Sequence, residues 1–492
     1  MSDIMNFVSP ALNGLIKKIG EKSIKTNPKT TISDGKFDYI KEPLSEKFTV
    51  GFAKSIMLPD NIETKKYYIA GYGENNPAKG VIDPQYAHAL WLDDNSGRGG
   101  VLMISLDVVG LLSKDVNKAK ARLNGFVKKT GCRNINIFST HNHAGIDTMG
   151  IWGPLPFTGK NPEFMEILFS AIVDAAQKAY DSRKNGDIFL GTVEVPDMQE
   201  DIRTPVVYSK TLTRFRFVPD NGDNEIWWLN FASHSESLQG CNHLVSADFP
   251  AYLRECIKVK NGADVIYCVG AVGGMISMNI DDENTLRKEH RLIESTRKIG
   301  YKLGDYAISI NNDEKLKPVI NYIRNEFYAE ADNPVLAVAC VAHIMDADKY
   351  GDASSSKNIS LKSEVTYYEI GNKKMLFIPC EMFPELVFGG ALSAEESATG
   401  KGPEVNPPLL CDLTEDENIL IFGLSNDELG YVIPPNDFLL HNKKPYLDIP
   451  RDRFNRRHYE ETNSMGPKTA ATIAEAVEKT MKTVKQTKEL YK

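Results

Sequence analysis

The sequence contains few cysteines, and their arrangement matches no common cysteine motif. The seven cysteines are odd in number, widely spaced and include no CxxC pair. This pattern indicates neither a thiolate zinc knuckle nor a disulfide framework. Most of these residues are expected to be small buried apolar side chains. Because such cysteine usage is typical of a reducing compartment, we expect a cytoplasmic protein.

Long apolar runs are also missing. No run approaches the ~20 residues that a helix needs to cross a bilayer. The first segment, MSDIMNFVSPALNGLIKKIG, lacks the basic start, the continuous apolar stretch and the small-residue cleavage site of a secretion signal. We therefore predict a chain with no transmembrane segment and no secretion signal.

Positive charge is not in excess. The formal net charge is -8, and the lysines and arginines are spread along the chain. Proteins that bind a phosphate backbone concentrate their positive charge on one surface. The sequence therefore disfavours a nucleic-acid partner.

The composition is otherwise close to that of an average globular protein. The chain has 492 residues, of which 42% are hydrophobic and 25% are charged, so it can bury a large core. Residues 1–47 are rich in Lys, Ser and Thr with weak periodicity, and we predict an N-terminal extension there. The organised part begins at Phe48, and since no stretch is typical of a flexible linker, residues 48–492 are predicted to form one domain.

Hydrophobic periodicity predicts alternating strands and helices. Residues 101–106 and 135–140 have the apolar pattern of buried strands, and residues 114–129 between them have helical spacing. Further on, the pattern predicts helices at 162–183, 283–310 and 469–487, and a hairpin around Gly371. We predict an α/β fold in which helices pack around a large mixed sheet.

Five segments carry polar residues immediately after predicted strands, where a strand end can present a side chain to a ligand. They are 139–145 (STHNHAG), 230–236 (NFASHSE), 269–279 (VGAVGGMISMN), 378–384 (IPCEMFP) and 424–432 (LSNDELGYV). Each segment also has a purely structural interpretation, such as a hydrogen-bonded histidine or a tight turn.

The chemistry of these segments favours a metal or a nucleophile. The H-x-H pair His141 and His143 can direct two imidazoles to one side of a strand end. Glu381 lies among apolar neighbours, where an unpaired charge is costly and a metal ion would compensate it. Ser277 follows three glycines that allow a close backbone approach, so it is a candidate nucleophile. No Gly-Lys-Ser/Thr follows, so a phosphate-binding loop is disfavoured.

In their order, the five segments resemble the catalytic domain of the neutral/alkaline ceramidase family. That family has a Thr-His-Thr-His-Ser-Gly motif, a later strand-end histidine, an Asn-x-Gly-Asp-x-Ser-Pro-Asn serine loop, a Pro-Gly-Glu segment and an Asn-x-Tyr-x-x-Tyr-Val segment. This sequence has THNHAG at 140–145, His234, GGMISMN at 273–279, PCE at 379–381 and NDELGYV at 426–432. Similar flanks extend the resemblance over roughly residues 48–470.

The resemblance implies a zinc-dependent hydrolase of amide bonds with its metal site at the C-terminal ends of strands. Carried over residue by residue, it implies zinc ligands and substrate-facing groups in this chain. The implied ligands are His141, His234, Glu381 and Tyr431. The implied catalytic residues are Ser277 beside the metal, and His143, Arg203 and Tyr459 facing the amide. The nucleophile is then either a metal-activated water or Ser277.

The sequence also departs from the family's pattern. Met275 and Met278 replace Asp and Pro of the serine loop, Ala144 replaces Ser, and no C-terminal immunoglobulin-like domain is expected. Three alternatives therefore stay open: a ceramidase acting on an N-acyl lipid in sphingolipid metabolism, a hydrolase of the same site acting on a soluble non-lipid amide or ester, and a family member that binds a ligand without turnover. The expected partner is a small-molecule or lipid amide, and a homo-oligomer is possible.

Overall fold

The computed structural model describes residues 24–279, 289–352, 355–356 and 359–491. The strands, in chain order, are β1 (Ile24–Lys25), β2 (Asn27–Pro28), β3 (Phe48–Ile56), β4 (Tyr86–Asp93), β5 (Val101–Leu106), β6 (Asn134–Ser139), β7 (Lys184–Glu194), β8 (Gln199–Asp201), β9 (Thr211–Pro219), β10 (Ile226–Phe231), β11 (Asp264–Val269), β12 (Ile276–Met278), β13 (Glu314–Lys315), β14 (Ile320–Glu330), β15 (Tyr350–Gly351), β16 (Ser355–Ser356), β17 (Ser360–Ile370), β18 (Lys373–Phe377), β19 (Glu381–Met382), β20 (Leu420–Phe422) and β21 (Tyr431–Val432).

The helices connect these strands. In chain order they are α1 (Ser113–Arg122), α2 (Asn124–Thr130), α3 (Pro162–Asp181), α4 (Phe249–Lys260), α5 (Glu289–Ser309), α6 (Pro334–Val341), α7 (Glu385–Phe388), α8 (Leu410–Thr414) and α9 (Thr469–Glu489). Three short 3-10 helices lie at Pro403–Val405, Pro435–Asp437 and Glu460–Asn463.

Two large mixed sheets form the centre of the fold. The larger has the strand order β11-β10-β9-β7-β3-β4-β5-β6, with β13 paired to β7. The smaller has the order β2-β15-β17-β18-β20, with β14 paired to β17. Both combine antiparallel pairs with parallel ones, such as β5 with β6 and β18 with β20.

The two sheets pack face to face, with helices on their outer faces. In β4, Leu90 and Leu92 point into a core shared with Tyr368 and Phe377 of the smaller sheet. The alternate residue Trp91 points the other way, into a core that contains residues of α3, as the two-residue period of a strand requires. Helices α4 and α5 cover β10 and β11 in the same manner. Helix α9 covers the outer face of the smaller sheet.

The predicted α/β fold with a large mixed sheet is therefore confirmed. The hairpin around Gly371 is present, with Ile370 paired to Lys373 across the turn. The predicted helix at 283–310 is present as α5 where the chain is described, whereas residues 283–288 lie outside the described part. The prediction of one continuous helix at 114–129 is wrong in one respect. It is divided at Leu123, which precedes Asn124 and Gly125, two residues of low helix propensity.

The described part of the predicted N-terminal extension lies against the smaller sheet. Strand β1 pairs with β16, β2 pairs with β15, and Phe37 is buried in the core beneath α9. Within the described ranges, no helix is long and apolar enough to cross a membrane.

Candidate metal centre and the cavity beside it

Strand ends from both sheets meet at one buried point. His141 follows the end of β6, and His234 follows the end of β10. In the short strands β19 and β21, Glu381 and Tyr431 are directly paired, so their side chains start from neighbouring positions. His141 has a φ of 54°, a left-handed conformation that is rare for a non-glycine residue and is often found at functional sites.

The side chains converge at hydrogen-bonding distances. Oε2 of Glu381 lies 3.2 Å from Nε2 of His141 and 3.0 Å from Nε2 of His234. The hydroxyl oxygen of Tyr431 lies 3.4 Å from Nε2 of His234. His143 joins the same group, because its Nε2 lies 3.2 Å from Nε2 of His141. All of these side chains are buried.

The histidines are oriented as metal ligands usually are. Nδ1 of His141 lies 2.7 Å from the carbonyl oxygen of Val109, and Nδ1 of His234 lies 2.8 Å from that of Ile276. A carbonyl oxygen only accepts, so each Nδ1 carries the proton and each Nε2 presents its lone pair to the centre.

The group of donors fits a metal ion. Ligating atoms of His141, His143 and His234 all lie within 4.8 Å of one another. A tetrahedral ion bonded to nitrogen at about 2.0–2.1 Å holds its ligands about 3.3 Å apart, close to the separations found here. Imidazole nitrogen, carboxylate and phenol oxygen are donors that suit zinc among other divalent ions. The cluster can therefore hold a metal ion whose identity the donors leave open.

The electrostatics of the cluster agree with a cation at its centre. Burial and the nearby rings of His141 and His234 lower the pKa of His143 well below its usual value. Burial works to raise the pKa of Glu381, but the adjacent imidazoles of His141 and His234 outweigh it and lower that pKa. Burial and the charge of Glu381 raise the pKa of the Tyr431 phenol well above its usual value. A bound cation would oppose this last shift.

Ser277 lies beside this cluster and is connected to it through Glu236. Its backbone is bridged to that of His234, and β12 places it opposite Glu200 of β8. The Oγ of Ser277 donates a hydrogen bond to Oε1 of Glu236. The other carboxylate oxygen of Glu236 lies 3.5 Å from Nδ1 of His143 and accepts a hydrogen bond from the Tyr72 hydroxyl at 3.2 Å.

Glu236 is a site residue that the sequence analysis did not select. It follows His234 by two positions in an extended segment, and alternate residues of such a segment share a face. That spacing was the available signal, and a search for acids two residues from each candidate ligand would have found it.

A mostly apolar cavity opens at the cluster. His141, His143, Glu381 and Tyr431 form part of its wall. The remaining wall is mostly apolar and comes from the segments around 149–152, 331–345 and 359–361. Its residues include Met149, Ile151, Trp152, Leu336, Cys340, Met345, Ile359, Leu361 and Met465.

Tyr459 and Arg203 are the two other residues predicted to face the substrate, and only Tyr459 is among the described residues that line the cavity. Tyr459 lines the cavity and is 40% exposed. Burial of the rest and the charge of Glu381 raise the pKa of its phenol to about 12, so it is a hydrogen-bond donor at neutral pH.

Arg203 does not line this cavity in the described part of the chain. It is buried, and its guanidinium donates to Glu460 at 2.5 Å, to Glu461 at 3.0 Å and to Asp437 at 3.2 Å. The structure thus places it in an internal ion-pair network that positions the segment carrying Tyr459. The roles predicted for Arg203, Tyr459 and the four zinc ligands stay predictions.

The chain is similar to proteins described as ceramidases. No family model matches the chain. A neutral ceramidase of Drosophila pseudoobscura pseudoobscura is 25% identical over 227 residues, which is 42% of this chain and 31% of that protein. The matched stretch therefore spans about a third of the length of that relative.

Solved structures match over more of the chain. The crystal structure of neutral ceramidase from Pseudomonas aeruginosa is similar with a TM-score of 0.67 and 16% identity, covering 90% of this chain and 75% of that one. A ceramidase complexed with C2 is similar with a TM-score of 0.64 and 15% identity, covering 90% and 76%. The predicted resemblance to the neutral ceramidase family is confirmed, and the chain has the neutral ceramidase fold.

Proposed function

Starting from the neutral ceramidase fold, we propose that this chain is a zinc-dependent hydrolase that cleaves the amide bond of an N-acyl substrate with an apolar part. One observation carries the proposal: a buried cluster of histidines, a carboxylate and a phenol lines an apolar cavity, with a serine–carboxylate pair beside the cluster.

His141, His234, Glu381 and Tyr431 would hold the ion. The backbone carbonyls of Val109 and Ile276 keep the two imidazoles in the tautomer that ligation needs. When bound, a zinc ion supplies a Lewis acid that polarises a carbonyl group and lowers the pKa of water.

The residues beside the cluster supply proton transfer and charge stabilisation. Ser277 Oγ already donates its hydrogen to Glu236, so attack by this oxygen on a carbonyl would leave the proton on Oε1 of Glu236. A water molecule is the alternative nucleophile. Tyr459, a phenol with a pKa of about 12, can donate a hydrogen bond to the developing oxyanion.

The cavity favours an apolar substrate over a fully polar one. A wall made of Ile151, Trp152, Leu336, Met345 and Leu361 gives a polar amide no hydrogen-bonding partners, whereas it removes an alkyl chain from water. Each buried methylene contributes about 0.8 kcal/mol of binding. We therefore place the apolar chain of an N-acyl amide in this cavity and its amide bond at the histidines.

Metal analysis and a substrate panel test the proposal. The purified protein is assayed with N-acyl sphingosine, short N-acyl amines and matched esters, and its metal content is measured. We expect stoichiometric zinc and turnover of N-acyl amides that increases with acyl length. His141→Ala should abolish both, whereas His441→Ala, a histidine outside the cluster, should retain both.

A chain that binds zinc but hydrolyses none of these compounds would indicate a ligand-binding protein. Turnover confined to short soluble esters or amides would refute the apolar substrate and keep the metal site.

A further inference from the structure

A second cavity lies between the two large sheets, beside their shared apolar core. This inter-sheet cavity has a volume of about 550 Å³, within the range of small-molecule binding sites. Strands β7, β9 and β10 form one wall, and β20 with the first residue of β18 contributes to the opposite one. None of its lining residues within the described ranges also lines the apolar cavity at the histidines. The two cavities are therefore separate.

A row of polar side chains replaces the apolar core at this place. In β10, Trp228 points into the core shared by the two sheets, so Asn230, two residues later, lies on the same face. Asn230 pairs with Thr213 of β9, and Thr213 pairs with Thr192 of β7. All three residues line the inter-sheet cavity. Three neighbouring strands thus present polar groups where a continued core would require apolar ones.

Asn230 has an acceptor that the protein does not use. The residue is only 4% exposed, and its Nδ2 donates hydrogen bonds to the carbonyl oxygens of Ile421 at 3.0 Å and of Val269 at 3.2 Å. These two acceptors fix which end of the amide is nitrogen. Oδ1 makes no hydrogen bond among the described residues, yet the protein does not seal it from water. The inter-sheet cavity is the space that it borders.

The hydroxyl of Thr213 is in the same condition. Thr213 is 3% exposed, and its Oγ1 makes no hydrogen bond within the described ranges and is not sealed from water. Buried polar groups are nearly always hydrogen-bonded, to protein, to water or to a ligand. Two adjacent buried groups that border one cavity therefore point to an occupant with hydrogen-bonding groups of its own.

The charged groups of the wall balance one another. The cavity has one side chain of each sign, Lys373 and Glu194. Nζ of Lys373 donates a hydrogen bond to the carbonyl oxygen of Asn418 at 2.5 Å. Phe388, which is 37% exposed, adds an aromatic ring. A hydroxyl group suits this wall, because it can donate to an amide oxygen and accept from an ammonium group.

We propose that the inter-sheet cavity binds a small neutral molecule with several hydroxyl groups, a sugar or polyol of monosaccharide size. Oδ1 of Asn230 accepts a hydrogen bond from one hydroxyl, and the Thr213 and Thr192 hydroxyls contact the next ones along the row. An anion is repelled by Glu194 and a cation by Lys373, which favours a neutral ligand. The inference is independent of the proposed hydrolysis, since the histidine cluster takes no part in it.

Calorimetry on the purified protein tests the site. The neutral probes are myo-inositol and D-glucose, and the charged probes are D-glucuronate and D-glucosamine. We expect saturable binding of one molecule per chain for at least one neutral probe, and weaker binding of both charged sugars. The absence of saturable binding for both neutral probes would overturn the inference. Binding of a charged sugar as tight as that of the better neutral probe would do so too.

Thr213→Val locates the binding. Valine keeps the shape of the side chain and removes the hydroxyl, so the neutral probe should bind about ten-fold more weakly, the usual effect of one hydrogen bond. Thr192→Val, at the exposed end of the row, should act in the same direction and replaces Thr213→Val if that variant does not fold. Thr366→Val is the matched control. Thr366 is a buried strand threonine outside the cavity, and its hydroxyl also lacks a partner among the described residues.

Thermal unfolding distinguishes a ligand site from a structural role. Because the Thr213 hydroxyl makes no hydrogen bond within the described ranges, the ligand-free melting temperature of Thr213→Val should match that of the wild type. Only the rise produced by saturating probe should shrink, since that rise reports affinity for the folded state. A lower ligand-free melting temperature with unchanged probe affinity would show a structural role and overturn the inference. Equal loss of affinity in Thr366→Val would also overturn it.

Discussion

Filling the apolar cavity should change which acyl chains are hydrolysed. Leu336, on α6, lines the cavity and is partly buried, so a larger side chain there can enter the cavity without displacing the packed core. We expect Leu336→Trp to shorten the longest acyl chain that the protein accepts. Its neighbour Val335 packs on the same core but does not line the cavity in the described part of the chain, so Val335→Trp is the matched control.

The expected magnitude follows from the area that an alkyl chain buries. At about 0.8 kcal/mol per methylene, kcat/KM of the wild type should rise about four-fold per added carbon. A chain lengthened by six methylenes therefore gains roughly three orders of magnitude. In Leu336→Trp the rise should stop several carbons earlier, while the shortest substrates keep their wild-type rate because the histidine cluster is unchanged.

The assay is a series of N-acyl amines from two to twelve carbons, with kcat/KM measured for the wild type and both variants. A flat profile in the wild type would refute the placement of the acyl chain in this cavity. So would equal effects of Leu336→Trp and Val335→Trp, since only one of the two residues lines the cavity.

Four further predictions concern single residues. Ser277→Ala should retain the metal and lose at least about 100-fold in kcat, as removal of a nucleophile does. Near-normal turnover in the same assay would show that water is the nucleophile. His234→Ala should lose metal, detected by elemental analysis, because one imidazole and its orienting carbonyl are removed. Arg203→Met should lower the free energy of unfolding by about 3–5 kcal/mol, because it leaves buried carboxylates unpaired. Urea denaturation measures this change. Full stability with a raised KM would instead support contact between Arg203 and the substrate. Burial works to raise the pKa of Glu461, but Arg203 and His458 lower it below 4.5, so its contribution to stability is complete above that pH and is lost on acidification. Unfolding measured from pH 7 to pH 3 should show a smaller loss of stability in Arg203→Met than in the wild type, because His458 alone then remains beside Glu461.

Much of the site could be predicted because its residues follow strands. A clear apolar pattern shows where a strand ends, and the residue that follows lies at the edge of the sheet. His141, His234 and Glu381 were found in this way, and the resemblance added Tyr431. The structure brings these residues together.

The parts that escaped prediction depend on contacts between distant segments. Glu236 and Ser277 are 41 positions apart, and they lie close together because β12 is bridged to the segment that follows β10. The cavity wall is formed by α6, the segment around 359–361 and residues near 150. No local sequence pattern predicts that these three segments contact one another. For the same reason, the sequence could not show that the donors of Arg203 are already occupied by Glu460 and Glu461.

The wide separation of the clustered residues along the chain has a thermodynamic consequence. His141 and Tyr431 are 290 positions apart (431 - 141), and they belong to segments that follow different sheets. An ion bound by both would act as a reversible cross-link that closes most of the chain into a loop. Because the unfolded chain has no such site, each ten-fold increase in free metal above the dissociation constant would add about 1.4 kcal/mol to the stability of the folded state. The concentration of free metal would then determine the stability of the folded state as well as the activity of the site.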